Sequence, residues 1–318
     1  MRLLHHVLRL FVIPLLISVM FPASIVSGDE GMREIDKPPV PIDFTDVIAK
    51  PDSPASRATL RIAVAAMISP KYTYRYYISL LTLIGERMDR TVTFVQKKTY
   101  SQVNAMLKQK ELDVAFVCSG PYVRGREDFG MQIIAVPICH GKTVYYANFI
   151  VSRKSGLASL ADLRGKTFAF TDPLSNTGYL VPTYYLAVRG ETPETFFGKT
   201  FFTYSHDNSI QAVADGLADG AAVDSLIYEF MQAAHPSATA ETIVIEKSPP
   251  YGIPPVVVHP AMDPAIKKKL KTIFLSIHQD QAGKTILASL KIDRFTEGDP
   301  EQYTTVRKLQ RFLESNRR

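Results

Sequence analysis

The sequence predicts an α/β protein made of two similar open, mainly parallel sheet lobes joined by a two-strand hinge. Three observations carry this. The chain has 318 residues, 46% of them hydrophobic and 21% charged, which excludes a wholly disordered, collagen-like or polytopic membrane protein and suits two domains of roughly 150 residues. Two stretches repeat one β-α-β-α-β order, the recipe for parallel strands with right-handed crossovers. After the second stretch, two further strands and a helix return the chain to the first, so it crosses twice.

The first 28 residues read as an export signal. Arg2 and Arg9 flank histidines, an apolar run from Leu10 to Phe21 follows, and Ala23, Ser24, Ser27 and Gly28 supply the small residues of a cleavage site. The apolar run is shorter than the ~20 residues a spanning helix needs. Cleavage near Gly28 and a periplasmic location are expected, with an uncleaved membrane anchor as the other outcome. No cysteine lies near the cut, which argues against a lipoprotein anchor. Residues 29–57, with Pro38, Pro39, Pro41, Pro51 and Pro54 among many charges, read as a Pro-rich tether.

The folded body begins at Leu60, where LRIAVAAM is a continuous apolar run of the kind found in strands covered on both faces. The first unit is strand 60–66, a helix at about 74–88, strand Thr91–Val95, a helix at about 100–110 and strand Leu112–Val117. The second is strand Lys166–Phe170, a helix at about 177–188, strand Thr200–Tyr204, a helix at about 208–215 and strand Gly220–Val223. Their third strands are alike, since Asp113 and Asp219 each stand between a helix end and a small, apolar strand. Strand Ile243–Ile245, the rigid segment Pro249-Pro250-Tyr251-Gly252-Ile253-Pro254-Pro255 and strand Val256–Val258 form the return. A helix then opens at Asp263-Pro264, with Pro at its first position. It places Ile266, Leu270, Ile273, Phe274 and Ile277 on one face and Lys267, Lys268, Lys269 and Lys271 largely in water. Lobe I is thus 58–147 with 248–318, lobe II is 148–247, and the crossings lie near Tyr145–Phe149 and Ile245–Gly252.

Charge and motif content narrow the function classes. Removing the signal takes two of 37 basic residues, leaving 35 against 31 acidic ones, a mild excess of four. That favours anionic ligands weakly, and no basic stripe interleaved with aromatics points to nucleic acid. Gly283-Lys284-Thr285 is no P-loop, because the position of the first glycine is His278 and the segment reads as helix. The histidines at 140, 206, 235, 259 and 278 have no ligand spacing, so no metal and no cofactor are expected. Cys118 and Cys139 both follow strand-like runs; a disulfide and two buried thiols fit equally well.

In open parallel sheets, ligands bind beyond the carboxyl ends of the strands. This selects Met67–Tyr74, Gln96–Tyr100 and Cys118–Tyr122 from lobe I, and Thr171–Thr177, Ser205–Asn208 and Asp224–Tyr228 from lobe II. The richest is Thr171-Asp172-Pro173-Leu174-Ser175-Asn176-Thr177-Gly178, where hydroxyls and an amide gather at a helix start. Free N–H groups there, with Ser175 and Thr177, make a small anion cradle, or else a plain N-cap. Ser205-His206-Asp207 is not a catalytic triad, because adjacent residues cannot converge on one point. His206 reads as a donor to an oxyanion, or as a cap of the next helix. Asp224 reads as an acceptor that favours a protonated phosphorus oxyanion over fully ionised sulfate, or as a turn carboxylate. Lys97 and Lys98 add positive field at most, and of Tyr72, Tyr74, Tyr76 and Tyr77 some must be packing residues.

These residues resemble a known family. From about Leu60 to Tyr251 the chain is similar to the phosphate/phosphite/phosphonate-binding proteins of ABC importers, in the type II periplasmic binding protein class. The resemblance rests on Leu163-Arg164-Gly165-Lys166-Thr167-Phe168-Ala169-Phe170-Thr171-Asp172-Pro173, on the Ser175–Gly178 turn with Pro182, and on His206-Asp207 followed by Ala212-Val213, Gly216 and Asp219. It implies two lobes closing over a tetrahedral phosphorus oxyanion, held by Ser175, Asn176, Thr177 and His206. Tyrosines from the opposite lobe map loosely onto Tyr74 and Tyr122. Three departures stand out. The family's Ser-Thr-Ser-Gly turn is Ser175-Asn176-Thr177-Gly178 here. Its Gly-Pro after the third strand sits in Cys118-Ser119-Gly120-Pro121-Tyr122. Pro254-Pro255 stands where aminophosphonate-binding members carry an acidic residue, which counts against an aminophosphonate.

The expected function is therefore non-enzymatic: capture of phosphate, phosphite or a simple phosphonate by lobe closure, and delivery by a monomer to an ABC transporter permease. A periplasmic sensor signalling to a membrane histidine kinase is the alternative. An enzyme on the same fold lacks support, because no nucleophile–base pair assembles from the selected windows.

Overall fold

The structure is a computed structural model that describes residues 58–316. The expected export signal and tether lie outside the described residues. In chain order, β1 (Thr59–Val64), α1 (Pro70–Met88), β2 (Thr91–Val95), α2 (Tyr100–Lys108) and β3 (Val114–Phe116) form the first unit. Then α3 (Ser119–Phe129), β4 (Gln132–Ile138) and the short β5 (Val144–Tyr145) lead to β6 (Ala147–Ser152). The second unit comprises β7 (Thr167–Phe170), a π-helical turn (Asn176–Leu180) running into α4 (Val181–Ala187), α5 (Pro193–Phe196), β8 (Lys199–Phe202), α6 (His206–Ala214) and β9 (Gly220–Asp224). Next come α7 (Ser225–Ala234), α8 (Pro236–Ala240), β10 (Thr242–Lys247), β11 (Tyr251–Gly252) and β12 (Val256–Val258). Finally α9 (Pro264–Ser276), α10 (Gln281–Ser289), β13 (Arg294–Thr296) and α11 (Thr304–Ser315) complete the fold.

The strands form two open sheets, in the orders β13-β4-β12-β3-β1-β2 and β10-β6-β9-β7-β8. Each has a three-stranded parallel core, β2-β1-β3 and β8-β7-β9, flanked by antiparallel strands. The antiparallel pairings have a simple origin. A strand that crosses directly from the other sheet, with no helix to carry it back, enters from the opposite end. Thus β12 lies antiparallel beside β3, and β6 antiparallel beside β9. The two crossings pair as a ribbon of β5 and β11, with Tyr145 opposite Tyr251 and Val144 opposite Gly252. This is the two-strand hinge that the sequence predicts.

The likeness of the two units extends to their aspartates. Asp113 accepts the Arg61 N–H at 2.7 Å and Asp219 accepts the Thr167 N–H at 2.8 Å, each 52 residues on from the residue it anchors in the unit's first strand. On β1, Leu60, Ile62 and Val64 pack into one apolar layer and Ala63 into another, so the strand is covered on both faces. One of these layers joins Ala63 and Ala115 of the first sheet to Phe149, Phe168 and Phe170 of the second. Asp263 caps α9, and Leu270, Ile273 and Phe274 are its buried residues. Cys118 and Cys139 are free, buried thiols in separate layers.

Candidate functional site

Both sheets belong to one compact unit that holds all the described residues, and the loops beyond their strand ends touch. The Met67 carbonyl after β1 accepts the His206 N–H at 3.0 Å, and the Ser69 N–H donates to Asp207 Oδ1 at 2.8 Å. The Tyr100 N–H at the start of α2 donates to Asp172 Oδ2 at 3.1 Å. Gly120, in the first turn of α3, lies so close to the second sheet's loop that a Cβ there meets the Leu174 carbonyl oxygen at 2.1 Å. All six windows chosen from the sequence contribute a residue to this junction.

At its centre is the turn after β7. Ser175 Oγ accepts the Gly178 N–H at 3.0 Å, and the Ser175 carbonyl accepts the Leu180 N–H at 2.9 Å in the wide, five-residue spacing of a π turn. Gly178 is required here, since a Cβ meets Thr171 Oγ1 at 2.3 Å. Ser175, Asn176 and Thr177 are each fully buried. Asn176 Nδ2 donates to the Tyr145 hydroxyl at 3.2 Å, and that hydroxyl lies 3.6 Å from Cys118 Sγ.

His206 is fully buried, and burial pushes it down to about 3, so the ring is neutral. The Asp224 N–H donates to Nδ1 at 3.1 Å, and Thr171 Oγ1 also lies 3.1 Å from it. A backbone N–H can only donate, so Nδ1 is an acceptor and the ring proton sits on Nε2. That Nε2–H finds no partner in the protein. Among the described residues, ten buried polar side-chain atoms lack a partner, and five belong to this network: Tyr100 Oη, Asn176 Oδ1, Thr177 Oγ1, Ser205 Oγ and His206 Nε2. The Tyr100 hydroxyl lies near Ser175 without forming a full hydrogen bond. An unsatisfied buried polar group costs about 1–3 kcal/mol, so their concentration at one junction singles it out as the candidate binding site.

The donors are neutral. No member of this network is a lysine or arginine, and the site offers hydroxyls, an imidazole N–H and an amide. Asp224 is buried beside them, and burial pushes its carboxyl up to about 7. Its Oδ1 accepts the Leu226 N–H at 2.8 Å and the Ile227 N–H at 3.4 Å, which caps α7. The carboxyl is thus a helix cap, on the residue whose backbone N–H donates to His206. It exchanges its proton within the range in which phosphorus oxyanions do.

Two expected residues are elsewhere. Tyr74 is exposed on α1, its ring stacked 6.0 Å from that of Phe94. Tyr122 is buried 4.6 Å from the Tyr303 ring, next to Arg126 and Arg307. Neither reaches the polar network. The tyrosines that do are Tyr100, the last residue of a selected window but not singled out, and Tyr145, read only as part of a crossing. Lys98 places its ammonium 4.5 Å from the Tyr204 ring at the edge of the junction.

Two open sheets whose carboxyl ends meet over buried, neutral donors define a type II periplasmic solute-binding protein. The sequence family described as "ABC transporter, phosphonate, periplasmic substrate-binding protein" matches residues 62–303, and the chain belongs to it. It is 24% identical over 220 residues to the phosphonates-binding periplasmic protein of Escherichia coli, covering 68% of this chain and 65% of that protein. Solved structures share the fold. A binding-protein component of an ABC phosphonate transporter from Pseudomonas aeruginosa superposes with a TM-score of 0.77 at 23% identity, over 81% of this chain and 87% of that one. The methylphosphonate complex of a Prochlorococcus marinus protein gives 0.74 at 20% identity, over 80% and 98%. Among the described residues, no helix is long and apolar enough to cross a membrane.

Proposed function

We propose that the protein is an exported binding protein that captures a phosphorus oxyanion (phosphate, phosphite or a simple phosphonate) and delivers it to an ABC transporter permease. Lobe I, residues 58–147 and 248–318, closes on lobe II, residues 148–247, about the β5–β11 ribbon. Closure is favoured because only the closed form brings donors from both lobes to the ligand. Tyr100 and Tyr145 take the place that Tyr74 and Tyr122 held in the sequence reading. They act with Asn176, Thr177, Ser205 and His206, while Ser175 shapes the turn. The carrying observation is the concentration of unpartnered buried polar atoms where the six strand-end loops meet. In support, a structural neighbour of the same fold was solved with methylphosphonate.

Thr177→Val tests this with little change of shape. Removing an unpartnered hydroxyl leaves stability to urea unchanged or raised by about 1 kcal/mol, while affinity for methylphosphonate falls about tenfold or more by calorimetric titration. Equal affinity in both proteins removes Thr177 from the site.

A further inference from the structure

Outside the polar network, α1 reaches the other half of the molecule through aromatic side chains. The Tyr72 ring lies 4.3 Å from the His235 ring, and the Tyr76 ring meets Phe230 edge-on at 4.7 Å. The Tyr76 hydroxyl is 3.1 Å from His235 Nε2. Tyr72 and Tyr76 are four residues apart on α1 and so share a face. α1 follows a strand of the first sheet, while His235 joins α7 to α8, between β9 and β10 of the second. The His235 N–H donates to the Met231 carbonyl at 2.8 Å, which ties its backbone to α7. Tyr72, Tyr76 and His235 are all half-buried. The charges around the imidazole are uneven. Partial burial opposes a positive ring most, followed by Arg75 and Lys71 of α1, and together they hold His235 below the ordinary histidine value. Asp207, at the start of α6, acts in the other sense but more weakly, and its Oδ1 already accepts the Ser69 N–H. The phenols of Tyr72 and Tyr76 are the other titratable groups facing the ring, and Phe230 of α7 adds no charge.

We infer that Tyr72, Tyr76 and His235 form a clasp between the two proposed lobes, fastened while His235 is neutral and loosened when it takes up a proton, so that acid weakens the hold on the ligand. The inference rests on the lobe closure proposed above. When the lobes part, the His235 ring leaves Lys71 and Arg75 and regains water, so it binds a proton more readily in the open form. Protons therefore draw the equilibrium toward the open form as pH falls through the ordinary histidine value of 6.5. The open form lacks the donors that closure brings together, and ligand retention falls with it. No member of the clasp belongs to the polar network, so its effect on affinity acts through closure.

Titration calorimetry with methylphosphonate at pH 7.5 and pH 5.5 tests this in three proteins. They are the parent, His235→Phe, which keeps a ring against Tyr72 and takes up no proton, and Lys71→Gln/Arg75→Gln, which removes the opposing cations. Asp224 and the ligand titrate in all three, so the comparison isolates His235. On acidification the parent's affinity is expected to fall by about threefold or more beyond the fall in either variant. At pH 7.5, Tyr76→Phe loses the hydroxyl that meets Nε2 and is expected to bind about threefold to tenfold more weakly, through faster dissociation. An equal fall on acidification in the parent and His235→Phe overturns the proton-sensitive clasp. Equal affinity in Tyr76→Phe and the parent overturns the clasp altogether. No binding of methylphosphonate, phosphite or phosphate by the parent overturns the capture reading as well.

Discussion

His206 and Asp224 share one hydrogen bond and are shifted by the same burial in opposite senses. The imidazole, depressed to about 3, stays neutral in the folded protein while the unfolded chain takes up a proton near 6.5. It therefore withdraws stability as pH falls from about 6.5 toward 3. The carboxyl, raised from 3.8 to about 7, keeps its proton when folded but loses it when unfolded. It therefore withdraws stability as pH rises from about 4 to 7, and above 7 the full cost remains. Asp224→Asn retains an acceptor for the α7 cap and removes the ionisation. The variant should be more stable than the parent by a few kcal/mol at pH 8, with the gain shrinking toward pH 4, as read by urea unfolding across that range. A gain independent of pH contradicts the buried-carboxyl assignment. Little of this was legible in the chain. Ser175, Asn176, Thr177, His206 and Asp224 follow from the rule that ligands sit past strand ends. Which nitrogen of His206 faces inward is set by Asp224, 18 residues away, and only the fold brings them together.

Among the elements, strands read accurately because their apolar runs are bounded by turn chemistry. β2 and β12 have the predicted limits, Thr91–Val95 and Val256–Val258. The start of the first helix read less well. α1 opens at Pro70, four residues before the predicted start, and buries Thr73, Leu80, Leu81, Ile84 and Met88. Tyr74 lies off that face and is exposed, while Tyr72 and Tyr76 pack 4.3 and 4.7 Å from His235 and Phe230 of the other unit. β13 and α11 were not singled out in the sequence. α11 takes its place from distant partners, including Gln310 Nε2 donating to the Gly120 carbonyl at 3.0 Å. At Gly120 the first turn of α3 meets the loop after β7 with no room for a side chain. Gly120→Ala sets a methyl group against the Leu174 carbonyl oxygen, so each sheet should fold while the two loops are held apart. Ligand-induced compaction in small-angle scattering should disappear, with melting of the free protein little changed. Compaction equal to the parent's contradicts the close approach.

For the whole molecule, the sequence anticipated two sheets and a double crossing, and the paired β5 and β11 supply the narrow connection about which the proposed lobes turn. What composition could not convey is the absence of formal charge among the donors. A net excess of basic residues suggests an anion held by lysine or arginine, whereas the network's donors are neutral and the Asp224 carboxyl beside them is pushed up to about 7 by burial. On the proposed reading, such a site should prefer an oxyanion that can share a proton with Asp224 over one that cannot.

A thermal-shift series with phosphate, phosphite, methylphosphonate and sulfate at fixed pH and salt tests this preference most directly. A ligand that binds only the folded state adds about 2.7 kcal/mol of stability at a hundredfold excess over its dissociation constant. The account predicts a clear rise in melting temperature with at least one phosphorus oxyanion and none with sulfate. A rise with sulfate equal to that with every phosphorus anion, or no rise with any of them, contradicts it.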